Sequence, residues 1–339
     1  MMYHHPRART DLPRSKTALA LAGSAHVWFD TVDHFDAAGA QVAAAFDAAA
    51  LAQPRAVLPG LPSDRPLVMG ILNVTPDSFS DGGVLYAEDS ARTVAQVVER
   101  ARAMVAAGVD ILDIGGESTR PGAADVPVTE EINRTAPVIT AIRAEGITTP
   151  ISIDTRKSAV AEAALKAGAD MINDVSALSH DPSLGVLAAA AQVPICLMHA
   201  QGTPQTMQKN PQYANVLTEV YDHLARRMEL AVGMGIDPAR VIVDPGIGFG
   251  KTMAHNLDLL RGLSLYHGLG APILLGASRK RFIGTISGVE EAGARMPGSV
   301  AVALMAAGQG AQILRVHDVA ETVQALALWR ALTGDGAAI

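Results

Sequence analysis

Residues 67–73 read LVMGILN, an apolar run that ends in the polar side chain of Asn73. Seven more short apolar runs follow, each ending in a polar residue and each separated from the next by a helical pattern. Continuous apolar runs of this kind are typical of strands buried on both faces of a parallel sheet. The predicted strands cover residues 67–73, 111–113, 151–154, 171–173, 195–199, 241–244, 273–278 and 313–317.

Eight alternating strand and helix units predict an α/β protein whose sheet closes into a TIM (β/α)8 barrel. The carboxyl ends of barrel strands form one rim, so the polar residues that end the strands would surround a single site. Two connections are longer than a minimal loop, residues 74–88 and 281–297. Long loops on this rim are often lids. The predicted helices cover residues 90–107, 128–144, 158–167, 182–191, 213–234, 255–263, 298–308 and 319–332.

Composition limits the classes of function. The chain has 339 residues, of which 49% are hydrophobic, and a formal net charge of -7, which argues against a general nucleic-acid binder. No apolar stretch reaches the ~18 residues of a membrane helix. The single cysteine, Cys196, lies in an apolar run and is expected to be a buried hydrophobe in a reducing compartment. Basic residues near the amino terminus faintly imitate a signal peptide, but Asp11 interrupts them, so we expect a cytoplasmic protein.

Residues 1–63 differ in composition from the rest of the chain. They are alanine-rich between residues 43 and 52 and lead into a stretch rich in proline and glycine at residues 54–66. We therefore predict an amino-terminal extension over residues 1–63 and a catalytic barrel over 64–339. Alanine favours helix, so the extension is expected to be helical or mixed and to pack against the barrel or its amino-terminal face.

The segment GIGFGKT at residues 246–252 imitates two nucleotide-binding motifs. The segment is not a P-loop, because Pro245 stands where that motif needs glycine. It is not a dinucleotide-binding fingerprint either, because Lys251 stands where that motif needs glycine. What remains is a glycine-rich turn whose backbone N–H groups could contact an anion or a flat ring.

Carboxylates end several of the predicted strands. Each could be a helix cap, but gathering several at one rim requires compensating cations, a metal or a donor-rich ligand. Such a mixed site suits a ligand with a donor-rich ring at one end and a phosphate at the other. The carboxylates are Asp113, Asp154, Asp174 and Asp244, and the available cations are Arg120, Lys251, Arg279, Lys280, Arg315 and His317.

Arg315 and His317 are two residues apart on a predicted strand, so their side chains point the same way and form a candidate anion pocket. His199 is either a ligand or a hydrogen-bonded scaffold residue. No zinc-site spacing and no nucleophile elbow are present. Asn73 could give one oxygen to Mg²⁺ if substrate phosphate and water supplied the others.

Two longer segments identify a family. Residues 69–83, MGILNVTPDSFSDGG, and 113–122, DIGGESTRPG, closely resemble the signature segments of dihydropteroate synthases. Shorter matches follow in the same order, and together they cover residues 66–332. These shorter matches lie at residues 153–155, 172–174, 196–199, 244–246, 276–280 and 315–318.

The resemblance implies a barrel enzyme of folate biosynthesis. Its substrates would be 6-hydroxymethyl-7,8-dihydropterin diphosphate and 4-aminobenzoate, and its products 7,8-dihydropteroate and diphosphate. The implied pathway is a dissociative displacement of diphosphate, assisted by Mg²⁺ at Asn73, with Asp154, Lys280 and Asp113 as catalytic residues. The implied contacts to the pterin diphosphate are Thr119, Asp154, Asn173, Met198, Asp244, Phe249, Lys280, Arg315 and His317.

The resemblance also implies an aminobenzoate site and a homodimer. Contacts to the aminobenzoate would come from Phe79, Arg120, Pro121 and Ser278, with Thr119 and Phe249 bordering it. The implied partners are small molecules, without nucleic acid or membrane. Two other functions would also use the pterin pocket, namely those of a pterin-binding methyltransferase and of a non-catalytic paralogue. The first-loop segment and the Arg315 and His317 pair favour the synthase over the methyltransferase.

Overall fold

The amino-terminal extension forms two small antiparallel sheets and a short helix in the computed structural model, which describes residues 2–75, 90–118, 123–202 and 206–334. The first sheet pairs β1 (Met2–Pro6) with β4 (Val32–Asp36), and the second pairs β2 (Leu19–Ala20) with β3 (Trp28–Phe29). Only α1 (Ala49–Ala52) is helical within the alanine-rich stretch. The extension is therefore mixed, because helices this short gain little from propensity alone.

The rest of the chain builds the barrel. All neighbouring strands are parallel, in the order β10-β9-β8-β7-β6-β5-β12-β11. A bridge between Val243 and Ile273 joins the two outer strands, and Val243 N donates to Pro272 O at 2.9 Å. The sheet is thus closed, which confirms the predicted TIM barrel. The strands are β5 (Leu67–Asn73), β6 (Ile111–Gly115), β7 (Ile151–Asp154), β8 (Met171–Asp174), β9 (Ile195–Met198), β10 (Val241–Asp244), β11 (Leu274–Leu275) and β12 (Ile313–Val316).

Helices alternate with these strands. Among the residues described here, none of them is both long and apolar enough to cross a membrane. Short 3-10 turns lie at Pro238–Arg240, Leu263–Leu269 and Gly293–Arg295. The α-helices are α2 (Ser90–Ala106), α3 (Val128–Ala144), α4 (Ser158–Ala167), α5 (Ser183–Ala191), α6 (Val216–Gly233), α7 (Met253–Arg261), α8 (Arg281–Ser287), α9 (Met296–Gly308) and α10 (Val319–Thr333).

Two predictions near the seventh barrel strand were wrong. The strand was predicted over residues 273–278, but β11 has only two residues, since the chain then turns at Arg279, whose φ is 58°. The connection at residues 281–297 was predicted to be a loop, but it contains α8. Burial of Phe282 and Ile283 against the rest of the protein stabilises this short helix.

An apolar layer fills the amino-terminal end of the barrel. Strand alternation points every second side chain inward, so the inward residues near the strand starts pack together. Val57 and Leu58 of the extension pack into the same cluster and close this end of the barrel. Cys196 is one of its members and is buried as predicted. The barrel members are Leu67, Met69, Ile111, Met171, Cys196, Ile242, Leu274 and Ile313.

The extension also packs on the outer helices. Tyr3 Oη donates to the carboxylate of Asp222 in α6 at 3.0 Å. Phe29 and Leu51 form a small core against Trp329 of α10. The extension therefore shares its buried surface with the barrel.

Arg55 anchors the extension through a buried guanidinium. Its Nη1 lies 2.9 Å from His267 Nδ1 and 3.0 Å from Ala271 O, and its Nη2 lies 2.7 Å from His267 O. Burial lowers the pKa of Arg55 to about 10. The hydrogen bonds to backbone carbonyls stabilise a cation that is 6% exposed.

Arg55→Met is expected to destabilise the fold by about 2–4 kcal/mol, because two buried carbonyls would lose their donors. The free energy of unfolding in urea measures this effect. Arg261→Met is the control, since Arg261 pairs with Asp258 on the surface and should contribute little. Equal stability of Arg55→Met and the unmodified protein would contradict the anchoring role.

Candidate active site

A polar layer lies directly above the apolar layer inside the barrel. Each member except Asp154 is two residues beyond an inward apolar residue of the same strand, and Asp154 is two residues beyond Ser152, so alternation points all of them into the barrel. Register places Asn73 and Asp154 on either side of Gly115, at the same height. The members are Asn73, Asp113, Asp154, Asn173, Met198, Asp244 and Arg315.

Arg315 joins two carboxylates of this layer. Its Nε donates to Asp113 Oδ2 at 2.6 Å, and its Nη2 donates to Asp154 Oδ2 at 2.7 Å. Burial raises the pKa of Asp154 to about 7, although the Arg315 guanidinium opposes the shift. Burial lowers the pKa of Arg315, but Asp113 and Asp154 outweigh it and raise that pKa above its usual range. The guanidinium is thus charged, while Asp154 titrates near neutral pH.

One carboxylate oxygen of Asp113 is used by none of the residues that the structure describes. Asn173 Nδ2 donates to Asp113 Oδ2 at 3.4 Å, and Arg315 binds the same oxygen. Asp113 is fully buried, and its Oδ1 has no hydrogen-bond partner among the described residues. A buried acceptor without a donor is costly, so this atom is suited to a ligand N–H group.

Asp244 and Lys280 form the opposite side of the layer. Asp244 Oδ1 accepts from Gly246 N at 2.7 Å, and burial raises the pKa of Asp244 while the Lys280 ammonium opposes that shift. Lys280 Nζ donates to Ile247 O and lies 4.5 Å from the centroid of the Phe249 ring. Burial lowers the pKa of Lys280 to about 8, with Asp244 opposing. A carboxylate, an ammonium and an aromatic face therefore meet there.

The turns after β11 and β12 are joined. His317 N donates to Ser278 Oγ at 3.2 Å, and His317 Nδ1 lies 3.0 Å from the same oxygen. Arg279 Nε donates to Asp318 Oδ2 at 3.0 Å. These contacts bring Ser278 beside the predicted anion pocket.

Some predicted rim groups serve the scaffold. Asp174 points out of the barrel and accepts from Ser176 N at 2.8 Å and from Leu178 N at 2.6 Å, which is a capping role. His199 is buried and lies 2.9 Å from Lys251 Nζ, and burial lowers the pKa of His199 to about 2. Arg279 forms an ion pair with Asp318, which is not one of the four carboxylates predicted for the site. Phe79, Thr119, Arg120 and Pro121 lie outside the described residues.

Sequence reasoning missed a buried ion-pair network beside the site. Lys157 Nζ lies 2.9 Å from Glu117 Oε1 and 2.6 Å from Glu131 Oε2, and Arg156 Nη2 lies 2.8 Å from Glu117 Oε2. The network ties the chain after β6 to the chain after β7. A signal existed, because Arg156 and Lys157 come two and three residues after Asp154 and so had to lie near the same rim.

Comparison with known proteins places the chain among enzymes that bind pterins. The model of a family described as pterin binding enzyme matches residues 69–317. A dihydropteroate synthase of Neisseria meningitidis serogroup C is 48% identical over 271 residues, covering 79% of this chain and 93% of the relative. The dihydropteroate synthase of Escherichia coli K12 is 47% identical over 264 residues, covering 77% and 90%.

Solved structures agree in fold. A Xanthomonas albilineans dihydropteroate synthase with 4-aminobenzoic acid has 49% identity and a TM-score of 0.73, covering 79% of this chain and 93% of that one. The same enzyme in complex with 7,8-dihydropteroate has 46% identity and a TM-score of 0.71, covering 80% and 95%. A Yersinia pestis dihydropteroate synthase in a sulfonamide drug complex has 45% identity and a TM-score of 0.74, covering 80% and 97%.

Proposed function

The chain belongs to the pterin-binding enzymes and, within them, to the dihydropteroate synthases, and we propose how its rim carries out their reaction. This transferase joins 6-hydroxymethyl-7,8-dihydropterin diphosphate to 4-aminobenzoate and releases diphosphate. The proposal for the site rests on the polar layer, in which buried carboxylates face one another above the apolar layer.

The pterin ring would bind Asp154, Asn173, Asp244 and Lys280, beside Asp113 and Met198. Carboxylates accept from the amino and ring N–H donors of a pterin, and a side-chain amide can both donate and accept. The free Oδ1 of Asp113 supports this placement, since it lacks a donor within the described chain. Phe249 would lie against the ring through its aromatic face.

The diphosphate would bind Arg315 and His317. Arg315 is held by ion pairs with Asp113 and Asp154. On binding, ring N–H donors can replace the guanidinium at the carboxylates, while phosphate oxygens replace the carboxylates at the guanidinium. Both exchanges keep every buried charge paired.

The reaction is a substitution at the methylene carbon of the pterin. The bond to diphosphate breaks first, and Arg315 and His317 stabilise the charge that develops on the leaving oxygen. Asp154 stabilises the pterin cation until the aniline nitrogen of aminobenzoate attacks and then loses a proton. Ser278 would contact the aminobenzoate, and Phe79, Thr119, Arg120 and Pro121 stay predicted contacts.

Mg²⁺ is the metal that the residues fit. Asn73 lies on the rim, and its Oδ1 would be 3.5 Å from a Cβ at Gly115, next to Asp154. The described residues hold no group of three His, Cys, Asp or Glu side chains arranged for a metal, so diphosphate oxygens and water would complete the shell. When bound, the ion would neutralise charge on the diphosphate. Calorimetric Mg²⁺ binding that requires pterin diphosphate, and weakens in Asn73→Ala, tests this site.

A steady-state assay of diphosphate release tests the function. Release that needs both substrates, with dihydropteroate as the second product, is expected. Binding of the pterin diphosphate without turnover would instead identify a non-catalytic paralogue. Methyl transfer from a methylated pterin would identify a methyltransferase.

Lys280→Ala is expected to lower kcat/KM by about 100-fold or more, because Lys280 would contact the pterin and place the aminobenzoate. The assay above measures the effect with each substrate varied in turn. Lys166→Ala is the control, since Lys166 pairs with Glu162 on the surface of α4. Near-normal turnover by Lys280→Ala would show that its assigned role is wrong.

The assembly that we propose is a homodimer through α9 and α10. Leu328 and Leu332, four residues apart on α10, are 67% and 74% exposed, and Met305 of α9 is also exposed. Apolar side chains on one helix face favour a protein partner. Light scattering should give twice the chain mass, and Leu328→Lys with Leu332→Lys should give the mass of one chain.

A cytoplasmic location is the remaining proposal. It is supported by the one cysteine, Cys196, which is buried and unpaired, as is usual in a reducing compartment. Activity in the cytosolic fraction of the source cells, without activity in the exported fraction, tests it.

A further inference from the structure

The glycine-rich turn after β10 is built around a buried amine. Lys251, 3% exposed, folds its side chain back into the turn that precedes it. Its Nζ lies 2.8 Å from Gly246 O, 3.0 Å from Phe249 O and 2.9 Å from His199 Nδ1. The hydrogen-bond partners of Lys251 are therefore carbonyls and an imidazole. Its charge also favours the ionised form of Asp244, one of the carboxylates that the sequence suggested it compensates.

Backbone geometry explains how these acceptors face one atom. Gly246 and Gly250 have φ values of 68° and 64°, which side chains rarely adopt. A Cβ at Gly246 would lie 1.9 Å from His199 O, and one at Gly250 would lie 2.5 Å from Gln201 O. The turn can therefore press against the chain after β9 and direct two carbonyls inward.

Other residues bind the remaining carbonyls of the turn. Gln208 Nε2 donates to Gly248 O at 2.7 Å, and Tyr213 Oη donates to Gly250 O at 2.8 Å. Lys251 thus holds the inner side of the turn, while these two side chains hold the outer side. Burial lowers the pKa of Lys251 well below its usual range, and Asp244 opposes that shift.

The turn supplies one wall of the polar layer. Ile247 O accepts from Lys280 Nζ, and the Phe249 ring lies under the same ammonium. His199, the imidazole partner of Lys251, directly follows Met198, which points into the barrel. The amine of Lys251 is therefore bonded to the segments that carry Met198, Phe249 and the acceptor for Lys280.

We propose that Lys251 is a positioning residue for the pterin site, in which its amine binds the carbonyls of the turn as a small bound cation would. Through that turn it fixes Phe249 and Lys280 against the ring. The assignment rests on the proposed pterin site and deepens it.

Lys251→Met tests the assignment, because it keeps the side chain's length and removes the donors. Folding is checked first by circular dichroism, and Lys251→Leu, which also lacks donors, replaces it if the methionine variant does not fold. The expected result is a KM for pterin diphosphate raised about 10-fold to 100-fold, as for a small misplacement of binding groups, with a smaller change for aminobenzoate. Lys166→Met on the surface of α4 should match the unmodified enzyme.

Small amines give a second measurement. Lys251→Ala should regain affinity for pterin diphosphate with methylammonium, which has N–H donors, and not with tetramethylammonium, which has none. An equal response to both ions or to neither would overturn the proposal. So would a folded Lys251→Met or Lys251→Leu variant with unchanged KM for pterin diphosphate. Absence of turnover in both the unmodified enzyme and Lys166→Met would instead contradict the proposed function.

Discussion

Arg315→Met is expected to lower kcat/KM for pterin diphosphate by about 1000-fold or more, because the guanidinium would bind the leaving group at two points. Arg315 also pairs with Asp113 at 2.6 Å and with Asp154 at 2.7 Å. Without it, two buried carboxylates would face each other unpaired, and proton uptake would relieve their repulsion. Steady-state kinetics with varied pterin diphosphate measure the loss.

A ligand without phosphate separates the two roles of Arg315. Calorimetry with 6-hydroxymethylpterin should show affinity for Arg315→Met close to that of the unmodified enzyme, since the ring donors need not displace a guanidinium from the carboxylates. The diphosphate form should lose affinity strongly. Arg315→Lys should recover only part of it, because an ammonium is a single point charge without a fork of donors. An Arg315→Met variant with unchanged KM for pterin diphosphate would contradict the anion-binding role.

Most of the fold was predicted from the pattern of apolar and polar residues along the strands. Asp113, Asp154 and Asp244 were placed on one rim because each ends an apolar run, and alternation directs all of them into the barrel. Asp174, which the sequence pattern grouped with these carboxylates, is one residue beyond the inward Asn173 and therefore faces outward. The fixed side-chain period of a strand explains both outcomes.

Contacts between segments that are far apart in the sequence could not be predicted from local sequence pattern. Arg315 meets Asp113 across 202 positions of sequence, and Lys157 meets Glu117 across 40. The direction of Lys251 depends on where His199 lies, which only the paired strands β9 and β10 determine. The short β11 and the helix α8 were missed for a similar reason, because burial of Phe282 and Ile283 against neighbouring elements decides their structure.

Asp154→Asn is expected to lower the rate of the chemical step by about 100-fold while changing pterin affinity much less, because the amide keeps the shape and loses the charge that stabilises a cation. Single-turnover measurements separate binding from chemistry. Asp174→Asn is the control, since Asp174 is buried at the same rim but caps a loop. It should lose stability and keep its rate per folded molecule.

The pH dependence of kcat/KM is a second test of the role of the Asp154 charge. Burial raises the pKa of Asp154 to about 7 in the free protein, so its carboxyl is largely protonated below that pH and ionised above it. Since the ionised form stabilises the pterin cation, kcat/KM of the unmodified enzyme should rise with pH through about 7. Asp154→Asn should lack this rise. A variant that loses affinity and keeps its chemical rate, or that retains the rise near neutral pH, would assign the electrostatic role to another group.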